Sequence, residues 1–286
     1  MDKIIEKHFG QGIKERRQLL GGYSFQTWKL TLDSGQDIVF RTGENFTTGG
    51  GRHIIINETF EREKFFYDTL NQKENGLCPK VLVIDGNVQI TEYLPGKPLA
   101  ECFASLDKKE KEAVYRRFGE ITASIGRLQI DPSHKYIKER GPWKDFFAAR
   151  LRERLMAIIK NNIVTEAETE KIIAGWCKQE PKNTLSFIHL DLRFANMLYD
   201  KGKIHLLDAE NSEFGDHLFE FSVLAMNNYL CDAFWEGYGS KPDLGQETFR
   251  FYRMERAALV VDVFLNEVHD ETEAQQYINL FNSLKG

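Results

Sequence analysis

The sequence predicts an α+β protein of two lobes: a small antiparallel-sheet lobe with one main helix over residues 1–94, and a larger, mostly helical lobe over residues 95–286. Three observations carry that expectation. Before residue 94, apolar residues alternate with polar ones in short runs bounded by turn residues. After Pro95-Gly96 they recur at spacings of three and four, and one non-helical stretch, residues 185–208, interrupts the helices. With 286 residues, 42% hydrophobic and 28% charged, the chain can bury one large core or two modest ones, and its composition is neither fibrous nor disordered.

In chain order, Trp28, Leu30 and Leu32 alternate with polar neighbours, Asp33-Ser34-Gly35 turns the chain, and residues 37–41 (DIVFR) return as a second strand. Residues 57–70 (NETFEREKFFYDTL) are helical in composition. A second hairpin follows, VLVI (81–84) and VQITEY (88–93) around Asp85-Gly86-Asn87. In the helical part, Asp107 and Glu110 have capping-box spacing, and Val114, Phe118, Ile121, Ile125 and Leu128 mark one buried face. A further helix runs from Trp143 to Lys160, and Thr165 with Glu168 opens another that includes Ile172 and Trp176. Two short strands surround the turn Lys201-Gly202, and helices return after Asp216.

The net charge of −5 gives no general attraction to nucleic acid or to an anionic membrane, and neither is an expected partner. The sum is uneven: residues 187–286 hold 17 acidic and 8 basic side chains, net −9, leaving +4 on residues 1–186. Cys78, Cys102, Cys177 and Cys231 form no CxxC pair, and the opening MDKIIEKHFGQG has no apolar secretory core, so reduced thiols and a cytoplasmic location are expected. No obligate protein partner is implied.

The non-helical stretch carries the chemistry. It reads Phe187-Ile188-His189-Leu190-Asp191-Leu192-Arg193-Phe194-Ala195-Asn196, then Leu206-Leu207-Asp208, an H-x-D-x-x-x-x-N run followed across a hairpin by an apolar pair and an Asp. Phosphoryl transfer from ATP needs a carboxylate beside the attacking hydroxyl and oxygen ligands that hold Mg²⁺ against the phosphates. From about residue 19 to 225 the chain resembles the protein-kinase-like superfamily, and within it the aminoglycoside phosphotransferase and choline kinase group. The resemblance implies a protein-kinase-like fold, ATP as donor with GTP as the alternative, and Mg²⁺. It makes Asp191 the catalytic carboxylate, Asn196 and Asp208 the metal ligands, Arg193 a cation near the γ-phosphate and His189 a brace for the loop.

For the smaller lobe, the same resemblance assigns Gly21, Gly22 and Ser24 to the turn that covers the phosphates. Phe25 stands where relatives often have Asn, and Arg41 where they have the phosphate-binding Lys. Glu63 is the expected partner of Arg41, with Glu58 and Glu61 as neighbouring candidates, and Glu92-Tyr93-Leu94 matches the hinge whose backbone binds adenine. The run Gly49-Gly50-Gly51 has no GK[ST] after it and reads as a surface loop.

Only eleven residues separate Asp208 from Glu220, which stands where relatives usually have Asp. That leaves no room for a peptide platform, so the acceptor is expected to be a small hydroxyl compound. The acidic excess suggests a cationic one, an aminoglycoside or related basic antibiotic, with Glu210, Glu213, Glu236, Asp262, Glu267 and Asp270 as its carboxylates, and hence a resistance kinase. A metabolic kinase for choline, homoserine, methylthioribose or a sugar amine is the same-fold alternative, with Tyr229, Phe234, Trp235 and Tyr238 as material for a choline cage. A catalytically idle nucleotide- or antibiotic-binding module is the alternative of another class.

Overall fold

The computed structural model describes residues 1–19, 25–47, 53–182 and 185–285, so the Gly49-Gly50-Gly51 run lies outside the described residues. Two compact units share the chain, the first built from residues 1–46, 53–106 and 194–211, the second mainly from 107–193 and 212–285. The first contains the antiparallel sheet and the second is mostly helical.

The first unit begins with α1 (Asp2–Phe9), β1 (Ile13–Leu19), β2 (Gln26–Leu32) and β3 (Asp37–Thr42), followed by the short strands β4 (Phe46–Thr47) and β5 (His53–Ile54). Helix α2 (Ile56–Lys73), β6 (Val81–Asp85) and β7 (Val88–Glu92) come next. Five strands form an antiparallel sheet in the order β1-β2-β3-β7-β6. Leu30 and Leu32, Ile38 and Phe40, and Val88 and Ile90 point to one face, where they bury Ile5 of α1. The intervening residues of β7, Gln89 and Thr91, are also buried, so both faces of that strand are covered. Helix α2 buries Ile56, Phe60, Glu63, Tyr67 and Leu70 at helical spacing, with one carboxylate among the apolar residues.

The sequence placed the boundary after Leu94, yet residues 95–106 pack within the first unit. The reason is β8 (Lys97–Pro98), which pairs with β10 (Met197–Asp200), itself paired with β11 (Lys203–Leu206). Gly96 makes this approach possible: its φ is +120°, and a Cβ there would lie 2.9 Å from the Tyr199 carbonyl oxygen. Helix α3 (Leu99–Cys102) follows β8 directly.

In the second unit, α4 (Lys108–Gly126) opens on the Asp107–Glu110 capping box and buries Val114, Phe118, Ile121 and Ile125. After α5 (Lys135–Arg140) come α6 (Trp143–Ile159) and α7 (Glu166–Trp176), the latter capped by Thr165 and Glu168. Strand β9 (Ser186–Ile188) pairs with β12 (Glu213–Gly215), and α8 (Glu220–Met226), α9 (Asp232–Tyr238) and α10 (Glu247–Asp262) follow. Helix α10 runs into a π-helical segment, Val263–Val268, before α11 (Glu271–Leu284). Trp143, Phe147, Trp176, Phe219 and Tyr252 form an aromatic core with ring centroids 4.4–6.4 Å apart. Among the described residues no helix is long and apolar enough to cross a membrane.

Candidate active site

In the first unit, sheet register sets the chemistry. Arg41 on β3 stands opposite Gln89 on β7, and its Nη1 donates to Gln89 Oε1 at 3.1 Å and to Glu63 Oε2 at 2.5 Å. The partner is thus Glu63, the buried member of the three glutamates at the start of α2. One helical turn on, the Tyr67 hydroxyl donates to Glu63 Oε1 at 3.0 Å and accepts the backbone N–H of Asp208 at 2.8 Å. Helix α2 therefore joins the Arg41 side chain to the main chain at Asp208. Burial pushes the Tyr67 hydroxyl well above its usual pKa, which keeps it a donor. Burial also opposes the charge on Arg41, but Glu63, Tyr67, Asp208 and Glu210 more than offset it, and the guanidinium pKa is raised.

Asn196 ends a 3₁₀ turn, Phe194–Asn196, and its carbonyl accepts the N–H of Leu207 at 2.8 Å. Because Met197 pairs with Leu206, Asn196 and Asp208 flank the open end of the β10–β11 hairpin. Asp208 has φ +60°, a strained conformation for a residue with a side chain. An amide oxygen and a carboxylate form an oxygen donor set that fits Mg²⁺, a hard cation that keeps few protein ligands and completes its shell with phosphates and water. No cluster of three His, Cys, Asp or Glu residues able to hold a metal occurs among the described residues.

Of the remaining nucleotide candidates, Gly21, Gly22 and Ser24 lie outside the described residues. Glu92 ties β6 to β7, its carboxylate accepting the N–H of Lys80 at 3.0 Å. The Tyr93 ring lies under Lys29 Nζ, 4.3 Å from the centroid, and Leu94 is part-buried.

In the second unit, β9 delivers the chain to Asp191 through Leu190, whose φ is +63°. Both polar groups of Leu190 are gripped. Its N–H donates to Glu220 at 3.1 and 3.2 Å, and its carbonyl accepts from Arg256 Nη1 at 3.3 Å. Glu220 also accepts the N–H of His189, which is fully buried. Burial pushes the Glu220 carboxyl up to about 7, against the two N–H donors and Arg256, which pull it down. Behind it, Arg256 Nε donates to Glu255 at 2.5 Å, and Arg150 Nε to the same carboxylate at 2.7 Å. Burial opposes the charge on Glu255, and the arginines around it hold its pKa at about 2. Arg193 grips Asp191 with a two-pronged bond, Nε to Oδ1 at 2.5 Å and Nη2 to Oδ2 at 3.0 Å.

Most of the expected acceptor carboxylates have structural partners of their own. Glu210 belongs to the first unit and is electrostatically coupled to Arg41. Glu213 is buried beside Arg140, 3.7 Å away, and Glu236 pairs with Arg116 at 2.7 Å. Asp262 is buried and accepts from Asn266 at 2.6 Å, and Asp270 caps α11. Glu267 is exposed. The count of −9 therefore exceeds the charge open to an acceptor, because Glu213, Glu236 and Glu255 answer arginines far away in sequence. Of the aromatic residues named for a choline cage, Phe234, Trp235 and Tyr238 pack on one another with centroids 5.1–6.1 Å apart, while Tyr229 packs on Phe118.

Tyr67, Gln89 and Arg256 were missed from sequence. The spacing of four between Glu63 and Tyr67 on one helical face was the available signal for Tyr67. Arg256 had none, since its contact with Leu190 spans 66 residues.

A search of curated protein sequences finds no match to the chain. Among solved structures, it is similar to a candidate fructosamine-3-kinase from Haemophilus somnus 129PT, at 16% identity over 99% of this chain and 96% of that one, with a TM-score of 0.74. It is also similar to APH(2")-IIa in its ternary complex with streptomycin and ATP, at 16% identity over 98% and 96% of the two chains, with a TM-score of 0.67. A thermostable mutant of APH(4)-Ia in complex with AMP-PNP and hygromycin B gives 16% identity over 100% and 97%, with a TM-score of 0.69. At these identities the likeness establishes a shared kinase-like fold. The model of the phosphotransferase enzyme family APH matches residues 15–252, and the chain belongs to that family.

Proposed function

We propose that this phosphotransferase moves the γ-phosphoryl group of ATP to a hydroxyl of a small amine-bearing compound, an aminoglycoside or a sugar amine. The observation that carries the reading is the grip on Leu190, which fixes a strained peptide from both sides immediately before Asp191. In this reading Asp191 orients the acceptor hydroxyl and takes its proton. The acceptor oxygen bonds to the γ-phosphorus as the bond to the β–γ bridging oxygen breaks, and ADP leaves. Arg41, anchored through Nη1 by Glu63 and Gln89, binds phosphate oxygens, and the backbone at Glu92-Tyr93-Leu94 receives the base. Asn196 and Asp208 would hold Mg²⁺, which neutralises phosphate charge when bound.

The small acceptor is supported by the short path from Asp208 to Glu220, occupied by β12 and a 3₁₀ turn at His217–Phe219. Its amine is supported by similarity to proteins described with streptomycin, with hygromycin B and as a fructosamine kinase. The pairing of Glu236 and Glu213 with arginines and of Asp262 with Asn266 favours, as a second reading, an acceptor with one amine, such as a sugar amine, over a polycationic antibiotic. The test is ADP release from Mg·ATP and Mg·GTP with aminoglycosides, fructosamines, choline, homoserine and methylthioribose. Turnover with an amine-bearing sugar, lost in Asp191→Ala while nucleotide binding persists, supports the proposal. Turnover with none of them points to the idle binding module.

A further inference from the structure

Gln89, in β7, is fully buried, yet its amide is only half satisfied. Oε1 accepts from Arg41 Nη1 at 3.1 Å, whereas Nε2 has no hydrogen-bond partner among the described residues. An apolar residue would fill this place without stranding a buried donor, so what Gln89 supplies here is its bond to Arg41. That bond decides which edge of the guanidinium stays open. A guanidinium grips an anion end-on, through Nη1 and Nη2, or side-on, through Nε and Nη2. Glu63 and Gln89 take both N–H groups of Nη1, at 2.5 and 3.1 Å, which closes the end-on fork. Among the described residues Nε and Nη2 make no hydrogen bond, and the side-on fork is open. The rings of Phe25 and Phe60, with centroids 4.5 and 5.7 Å from the guanidinium carbon, hold the group. Charge enters as well. Glu63 already sets one carboxylate against Arg41, and Asp208 and Glu210 act on it from further away. A glutamine accepts the second N–H of Nη1 without adding another negative charge.

We propose that Gln89 is a positioning residue for the donor nucleotide, acting through Arg41. It commits Nη1 to the protein, so that the side-on fork is left for a two-pronged bond to the phosphates, and it does so without a charge that would repel them. The inference deepens the phosphotransferase reading and rests on the nucleotide-binding half of it. It also ties Gln89 to the presence of an arginine. A lysine ammonium is a point charge with no fork to aim, so the Lys that relatives carry at position 41 has no need of this amide. Arg41 and Gln89 therefore work as a pair that neither residue forms alone.

The experiment measures binding of Mg·ATP and of adenosine by calorimetry in wild type, Gln89→Leu, Gln89→Glu, Arg41→Ala, and Arg41→Ala combined with Gln89→Leu. Adenosine carries the base and ribose without phosphate, so it reports general damage to the site. Gln89→Leu is expected to weaken Mg·ATP about fivefold or more, the scale of one hydrogen bond to a charged group, and to leave adenosine unchanged. In Arg41→Ala, with no guanidinium to aim, the same substitution moves neither ligand. Gln89→Glu keeps the accepting oxygen and adds a negative charge, and it too weakens Mg·ATP while sparing adenosine. Thermal melting shows each variant folded. Equal losses for the two ligands, or the same loss of Mg·ATP with and without Arg41, mark a merely structural Gln89 and overturn this inference alone. A wild type that binds no Mg·ATP overturns the nucleotide reading and this inference with it.

Discussion

The guanidinium of Arg41 lies over the ring of Phe25, 4.5 Å from its centroid. These are the two positions at which the small lobe departs from the pattern its sequence resembles, and the departures fit each other. A planar cation stacks on an aromatic face where a Lys ammonium would have paired with a polar neighbour. Arg41→Lys alone is therefore expected to raise the KM for ATP about tenfold, because it loses the stack and the bond to Gln89. The pair Arg41→Lys with Phe25→Asn should recover much of that loss, and a double-mutant cycle should show coupling of about 1–2 kcal/mol.

Tyr67→Phe removes one hydroxyl and cuts the link from Glu63 to the Asp208 backbone. The part-buried N–H of Asp208 then loses the oxygen it donates to. A loss of about 1–3 kcal/mol in chemical denaturation is expected, together with a higher requirement for Mg²⁺ in turnover assays.

Burial raises the Glu220 carboxyl to about 7, far above its value in the unfolded chain, near 4.3. A carboxyl that is easier to protonate when folded stabilises the fold fully below about pH 4. That contribution is lost as pH rises through about 7. Glu220→Gln cannot ionise and keeps an oxygen for the N–H groups of His189 and Leu190. It should match wild type in thermal melting at pH 5 and gain on it at pH 8, by about 1–2 kcal/mol. A gap that does not widen with pH would show that Glu220 is ionised throughout.

Where α4 crosses α9, the backbones meet through two glycines. A Cβ on Gly237 would lie 1.8 Å from the Arg116 carbonyl oxygen, and one on Gly119 would lie 2.1 Å from that of Phe234. Gly237→Ala must force the helices apart and should cost about 2–3 kcal/mol, seen as a melting point lower by about 5–10 °C.

The elements legible in sequence were those whose own residues specify them. The α4 and α7 capping boxes, the Asp33-Ser34-Gly35 turn and the buried stripe from Val114 to Ile125 are local patterns, and each formed as expected. Helix α1 and strand β1 escaped notice because β1 is exposed along most of its length and shows no alternation. In the site, the spacing of His189, Asp191, Asn196 and Asp208 was readable, whereas the hold on Leu190 was not. That hold depends on Glu220 and Arg256, which approach from 30 and 66 residues away. Charge misled for the same reason: a residue count cannot tell that Glu213 will meet Arg140 or that Glu236 will meet Arg116.

The first unit takes residues 194–211 from late in the chain, including β10, β11 and Asp208. Its completion therefore waits on synthesis. When a ribosome has made the sheet and α2, Tyr67 still lacks the Asp208 amide 141 residues downstream, and β8 lacks its partner strand. Neither unit can be expressed as an uninterrupted fragment or exchanged between genes by a single crossover. Such long closures slow folding and leave strand edges open in the nascent chain. The interleaving thus makes this protein one folding unit genetically, whose first unit stays incomplete until residue 211 has emerged.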